Sequence, residues 1–414
     1  MDAEKIKKFF SKTSLRNFWI FFGSGLIVSM AYMDPGNWGT NIEGGSTFNY
    51  ALLWAIWLAN GMAMFFQYLS GKIGIAGYSL SEIVKDRIKT KWKVFIYWLG
   101  AEVSILATDL AEFLGIVVAL NILFGVPLLI GSFISILEIL FFFALTKKSF
   151  RAVEKAFIWF VSIISLAFVY ELFLAKPEFS QIIFHSVVPN LNSSTIFIVV
   201  GIIGATIMPH ALFIHSWLIK NKLKESKAKD KKRFLKFHVA DTIISLTVAG
   251  IVNAAMLIMA ASAFYQKGII ATLSQAYYTL VPLFGEFAAI VFGSALLISG
   301  MASSITGTLA GQSIMEGLTR FRIGIFTRRV ITRFINMIPL TAAILLGLEP
   351  LKVLVYSQVI LSILIPLPLI PIILFTSDKK IMGNLVNKKW TTIFAWTLSA
   401  LIIALNVYLI TTVF

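Results

Sequence analysis

The chain contains no cysteine. Disulfides and thiolate metal ligands are excluded, so any metal chemistry falls to Asp, Asn, His, Met or backbone oxygen. The absence leaves the redox compartment open. Charge is also scarce. Only 14% of the 414 residues are Asp, Glu, Lys or Arg, where a soluble domain carries about 25%. Acids are the scarcer sign, 20 beside 36 Lys and Arg, so each acid inside an apolar stretch carries weight. No low-complexity linker divides the chain, which reads as one unit over residues 1–414. There is no His–Cys cluster and no nucleophile–base pair, so nothing supports an enzyme or a receptor with a soluble domain.

What the chain has is apolar sequence, 58% of residues. It falls in blocks of about 20, enough to cross ~30 Å of hydrocarbon as a helix. The blocks lie near 17–45, 47–70, 94–117, 119–145, 152–174, 194–219, 238–264, 285–314, 330–348, 350–375 and 391–413. The fold class is therefore an all-α membrane protein with eleven transmembrane helices. Residues 268–283 read as a short amphipathic piece outside the membrane. Met1 to Arg16 is basic and precedes an apolar run, as in a signal peptide. That run leads into Met33-Asp34-Pro35-Gly36-Asn37 with no small-residue cleavage site, so it is read as the first membrane helix and not as a cleaved segment.

The net charge of +16 would suggest nucleic acid in a soluble protein. Here it has a plainer source. With a cytoplasmic N-terminus, only Lys176, Lys267 and Lys352 of the 36 Lys and Arg fall outside the inward-facing segments. This is the positive-inside asymmetry. The basic run Lys220 to Lys236 is then an orienting loop, and no nucleic-acid partner is implied.

Spans one and six each carry a proline break, Asp34-Pro35-Gly36-Asn37 and Met208-Pro209-His210. They stand five spans apart, so the second block enters the membrane from the opposite side. Paired broken helices in inverted blocks point to a transport site near the midplane. Proline withholds an N–H and Gly36 permits unusual backbone angles. Together they free carbonyls that only protein, water or a ligand can satisfy. A carboxylate in such a break costs roughly 2.5–3.5 kcal/mol on insertion scales and marks a functional pathway. Asp34 and Asn37 offer hard oxygens, Met208 a soft thioether, and Ala205, one turn before the second break, an unpaired carbonyl. Oxygen alone suits Mg²⁺ or Ca²⁺, whereas an added thioether favours Mn²⁺, Fe²⁺ and Cd²⁺.

Met33-Asp34-Pro35-Gly36-Asn37-Trp38 and Ala205-Thr206-Ile207-Met208-Pro209-His210 resemble the two signature motifs of the Nramp (natural resistance-associated macrophage protein) family, nearest to its prokaryotic manganese-transporting branch. Supporting stretches run from Phe66 to Ile75, Ala107 to Glu112 and Ser303 to Gln312, with Ser357-Gln358-Val359 in span ten. The similarity covers nearly the whole chain. It implies a LeuT-like fold with two inverted five-helix repeats, 17–174 and 194–375, and one extra helix, 391–413. It implies a monomeric, multi-pass protein of the cell membrane that imports Mn²⁺ or Fe²⁺ with protons by alternating access, and no resident cofactor. The family's metal ligands carry over to Asp34, Asn37, Met208 and the Ala205 carbonyl, with Gln358 joining in some conformations. Ala211 stands where many members have Asn, and Glu43 adds a carboxylate near the outer vestibule.

Span three carries Glu102, Asp109 and Glu112, at spacings that place all three on one helical face. Such an acid stripe in a membrane helix marks a proton relay. His210 lies two residues after Met208 and could pass a proton to it. The resemblance supports these four as a proton pathway and suggests that the acids find partners among Arg328, Arg329 and Arg333. His215 and His238 read as hydrogen-bonded structural residues, and Glu138, Glu171 and Asp241 as structural or interfacial carboxylates. Two rival functions remain beside metal import. A Mg²⁺ or other hard-dication transporter should lack the Met208 thioether. An amino-acid or organic-solute symporter should lack the acidic ligand Asp34.

Overall fold

The computed structural model describes residues 23–146, 150–226, 230–265, 281 and 285–413. Its regular structure is helical. In chain order the helices are α1 (Ser24–Ala31), α2 (Pro35–Phe48), α3 (Leu53–Ala76), α4 (Leu80–Arg87), α5 (Lys91–Phe124), α6 (Leu128–Ile134), α7 (Glu138–Thr146), α8 (Phe150–Ala175) and α9 (Phe179–Val187). The second half of the chain forms α10 (Ile196–Ile207), α11 (Pro209–Ser226), α12 (Lys231–Ala263), α13 (Glu286–Thr319), α14 (Ile325–Leu345), α15 (Pro350–Leu364), α16 (Pro366–Thr376), α17 (Lys379–Met382) and α18 (Lys389–Val413).

Among the described residues, seven stretches are long and apolar enough to cross a membrane: Lys91–Phe124, Ala152–Ala175, Ile196–Lys224, Lys231–Ala263, Glu286–Thr319, Pro350–Thr376 and Lys389–Thr412. The other four expected spans also coincide with helix. Span 17–45 is α1 and α2, with 17–22 outside the described residues; 47–70 lies on α3 and 330–348 on α14. Span 119–145 is corrected at its start. Helix α5 runs on to Phe124, because the breakers come only at Gly125, in the left-handed region at φ 66°, and at Pro127. Beyond Pro127 the chain forms α6, a 3₁₀ turn and α7. The piece expected at 268–283 lies outside the described residues, save residue 281.

Two short helices escape the apolar pattern. Helix α4 is set by a capping box between Ser79 and Glu82, in which side chains and backbone N–H groups satisfy one another. Helix α9 lies on the surface with Phe179, Ile183 and Phe184 exposed.

Outward faces carry large apolar side chains such as Leu166, Phe173, Ile338 and Trp390, all exposed. Inside, α13 packs along α5, α12 against α2 and α3, and α10 against α15 and α3. The inner face of α13 is built largely of small residues, among them Ser299, Gly300, Ser303, Ser304 and Gly307, all buried. Small faces of this kind let membrane helices approach closely. The two interrupted pairs, α1–α2 and α10–α11, run through the middle of this bundle.

Candidate functional site

The first break is held open by polar contacts from several helices. Helix α1 stops at Ala31, and Asp34 restarts the chain as N-cap of α2, with Pro35 in the first turn. Proline suits that place, where its missing N–H costs nothing. Asp34 Oδ1 accepts the Asn37 N–H at 2.9 Å. The carbonyls freed between α1 and α2 find side-chain donors: Tyr32 O takes Asn253 Nδ2 at 2.8 Å, and Met33 O takes Trp38 Nε1 at 3.3 Å and the Ser299 hydroxyl. Trp38 is itself fixed edge-on between Phe168 and Phe292, centroids 4.8 and 5.2 Å away.

At the second break α10 ends at Ile207, and Met208 sits at φ 42°, a left-handed angle uncommon for a non-glycine residue. The helical partner of the Ala205 carbonyl should be the N–H of residue 209, which is proline and has none. The sequence leaves that carbonyl unpaired. In the fold it accepts Asn37 Nδ2 at 2.8 Å, and the same amide nitrogen lies 2.7 Å from Asp34 Oδ1. One electropositive N–H₂ group thus bridges the carboxylate of one broken helix and the loose carbonyl of the other. Asp34, Asn37, Ala205 and Met208 are all buried.

Gln358 comes from α15. A Cβ on Gly36 would collide with its Nε2 and stand 2.9 Å from Asp34 Oδ2, and a Cβ on Gly204 would collide with its carbonyl. Glycine at both positions therefore lets α15 reach both breaks. Among the described residues, Asp34 Oδ2, Gln358 Oε1 and His210 Nε2 are buried without a hydrogen-bond partner. Buried polar atoms are nearly always paired, and two of these side chains, Asp34 and Gln358, meet beside Gly36. Among the described residues no three His, Asp or Glu side chains converge as a metal cage. The site instead combines one carboxylate with neutral donors.

The acid stripe lies on α5, facing the arginines of α14. Arg328 donates to Glu102 at 2.7 Å, and Arg329 donates to Asp109 at 3.4 Å. Arg333 bonds to Glu138 of α7, which also accepts Arg329 at 2.9 Å and the Ser304 hydroxyl. Arg333 also stands over the Phe113 ring, 4.3 Å from its centroid. Among the described residues, neither oxygen of Glu112 has a hydrogen-bond partner. His210 Nδ1 meets Thr108 Oγ1 at 3.0 Å. It reaches the stripe helix beside Asp109, through a hydroxyl and not directly through an acid.

His215, His238 and Asp241 have partners of their own away from the acid stripe. His215 bonds Gln67 at 2.8 Å, Gln67 bonds the Tyr32 hydroxyl at 2.8 Å, and His215 and His238 meet edge to face. Asp241 accepts the N–H groups of Gly25 at 2.8 Å and Gly23 at 3.4 Å, capping α1. Glu171 is buried and Glu43 half-buried. Sequence reasoning misses the parts played by Glu138, Ser299 and Asn253. For Glu138 the available signal is an acid seven residues past Gly131 inside an apolar block.

Two interrupted helices meeting at one buried carboxylate, inside a bundle of apolar helices, define a multi-pass membrane transporter of the LeuT-like fold. The sequence matches the family profile "Natural resistance-associated macrophage protein-like" over residues 25–412, and the chain belongs to the Nramp family. It is 40% identical over 407 residues to the divalent metal cation transporter MntH of Caldanaerobacter subterraneus subsp. tengcongensis, covering 98% of this chain and 96% of the relative. The manganese transporter of Eremococcus coleocola, solved with an aromatic bis-isothiourea compound, superimposes with TM-score 0.84 at 29% identity, covering 97% of this chain and 88% of that one. MhsT in complex with L-phenylalanine shares the fold alone, at TM-score 0.59 and 12% identity, over 94% of this chain and 98% of that one.

Proposed function

We propose that the chain imports divalent transition-metal ions, Mn²⁺ and Fe²⁺ with Cd²⁺ also accepted, by proton-coupled alternating access. The observation that carries this reading is the Asn37 amide nitrogen, 2.7 Å from Asp34 Oδ1 and 2.8 Å from Ala205 O. A cation is the natural substitute for a donor group wedged between a carboxylate and a carbonyl. Turning the Asn37 amide over presents its oxygen and leaves Asp34, Asn37 and Ala205 as hard ligands. Met208, at the same break as Ala205, supplies the thioether, and Gln358, whose amide group lies beside Gly36 and whose Oε1 is unpaired among the described residues, supplies a further oxygen. The names of the metal-transporting relatives agree with this cargo.

The arrangement in the membrane is read as eleven crossings by a monomer, with the N-terminus cytoplasmic, inverted repeats at 17–174 and 194–375, and an extra helix at 391–413. The bias of Lys and Arg supports the orientation. The dication competes with a proton for Asp34. The displaced proton passes by way of His210 and Thr108 to Asp109 and Glu112, and leaves along Glu102.

The discriminating ligand is Met208. In liposomes carrying the purified chain, Mn²⁺ and Cd²⁺ uptake should exceed Mg²⁺ uptake strongly. Met208→Ala should lower Mn²⁺ and Cd²⁺ uptake about tenfold and bring Mg²⁺ close to them, because the soft ligand is what disfavours the hard ion. Equal selectivity in both proteins would remove the thioether from the site. The proton route has its own test. Asp109→Asn with Glu112→Gln should leave Mn²⁺ binding near the wild-type level while metal-driven acidification of the lumen falls about tenfold or more. Unchanged proton flux would show that the stripe is only an ion-pair scaffold.

A further inference from the structure

A cavity of about 430 Å³ lies away from the broken helices. It opens between the C-terminal end of α3, the start of α12 and the segment joining α16 to α18, and lysines of two of these elements line it, Lys231 and Lys232 of α12 and Lys380 of α17. Its size falls within the roughly 300–1,000 Å³ of ordinary ligand pockets.

Each wall is fixed by contacts of its own. Met382 and Leu385 are buried anchors of the joining segment. Asn387 ties that segment down, with its N–H to Thr376 O at 2.9 Å, its amide nitrogen to Thr376 Oγ1 at 2.8 Å, and its oxygen accepting from the buried Lys72. Lys231 Nζ reaches across to Ala76 O at 3.1 Å. The cavity exists before any ligand arrives, which lowers the ordering cost of binding.

The charges in it are unbalanced. Asp230 turns one oxygen to the N–H groups of Lys232 and Arg233, at 3.1 and 3.0 Å. Asp378 pairs with Arg87 and caps α17. Among the described residues, no carboxylate pairs with the ammonium of Lys231, Lys232 or Lys380. The topological bias of Lys and Arg explains why basic residues are on this side. It does not explain why exposed lysines from two separate elements line one preformed cavity.

We propose that this cavity is a binding site for a phosphate-bearing anion, with Lys232 and Lys380 as its principal cationic contacts. Basic pockets at the ends of transmembrane helices hold anionic lipid headgroups through this chemistry, and a soluble phosphate would use the same groups. The orientation of the chain decides only which leaflet would supply a lipid.

The test uses the full chain, purified in a neutral detergent. It is titrated with short-chain phosphatidylglycerol, with inorganic phosphate, and with short-chain phosphatidylcholine as the zwitterionic reference. Lys232→Gln with Lys380→Gln should weaken phosphatidylglycerol binding about 30-fold, as expected for two surface cations. Lys379→Gln, beside the cavity but not lining it, should leave binding unchanged, and Lys232→Arg with Lys380→Arg should retain it. Loss confined to phosphatidylglycerol identifies a lipid headgroup. The same loss for inorganic phosphate identifies a soluble ligand. Equal affinity for both probes in the wild type and the double Gln variant overturns the site, as does an equal loss in Lys379→Gln. Mn²⁺ uptake by the same proteins in phosphatidylcholine vesicles is read in parallel. A chain that keeps the binding pattern but moves no metal would count against the transport reading and leave this one standing.

Discussion

Asp34→Asn is expected to abolish Mn²⁺ uptake, by about 100-fold or more, while leaving the fold intact. The two halves of that expectation have different sources. Asp34 has a structural duty as N-cap of α2, its Oδ1 accepting the Asn37 N–H at 2.9 Å. Asparagine caps helices about as well as aspartate, so the side-chain oxygen stays and α2 still begins at Pro35. What disappears is the carboxylate that stands, among the described residues, at the junction of the two broken helices. Two unit charges about 4 Å apart are worth about 4 kcal/mol at an effective permittivity of about 20, and a dication in contact has more to lose. Each 1.4 kcal/mol is about tenfold in affinity. Neutral donors at Asn37, Ala205, Met208 and Gln358 cannot replace that attraction in a buried site. The measurement is uptake into liposomes beside a melting curve of the same preparation. Uptake near the wild-type rate would remove Asp34 from the metal's path. A collapsed melting curve would mean that the cap, and not the charge, had been tested.

The elements of this site are legible in the sequence to different degrees, for physical reasons. Both breaks are readable because proline's missing N–H is a local property. Pro209 alone tells the reader that the carbonyl four residues earlier loses its helical partner. Where that carbonyl then turns is not local. It accepts from Asn37, 168 residues away in the chain, and only the packing of α2 against α10 makes the meeting. The acid stripe is readable from helical period. Its partners are readable in kind but not in detail, since three arginines within one short stretch can be dealt to several acids. The arrangement gives Arg328 to Glu102, divides Arg329 between Asp109 and Glu138, and bonds Arg333 to Glu138 while it stacks over Phe113 of α5. Glu138 looks like a lone acid near a span end because its cations lie 191 and 195 residues further on. Helix α4 depends on its capping box, and the start of span four on Gly125 and Pro127. These are local cues that a pattern of apolar blocks does not register.

Arg329→Ala is expected to be the most destabilising single change in the cluster, at about 3–5 kcal/mol. Its guanidinium is fully buried and bonds Glu138 at 2.9 Å and Asp109 at 3.4 Å. Removing one partner from a buried ionic group leaves charge that the interior cannot solvate. Asp109 loses its arginine, while Glu138 keeps Arg333 and Ser304. A melting temperature lower by roughly 5–10 °C in detergent is the expected reading. Arg329→Lys should recover only part of the loss, because an ammonium cannot span two carboxylates as the planar fork does. The sharper comparison is the double variant Arg329→Met with Asp109→Asn. Neutralising both partners removes the stranded charge, so the double variant should melt above Arg329→Met alone. Additive losses would mean that the pair at 3.4 Å is a proximity without coupling. The same variant also separates structure from conduction. If stability returns in it while metal-driven proton flux stays lost, then Asp109 is retained for its proton and Arg329 for holding Asp109 in place. If flux returns as well, the ions of α5 and α14 fasten the bundle together and the proton takes another course.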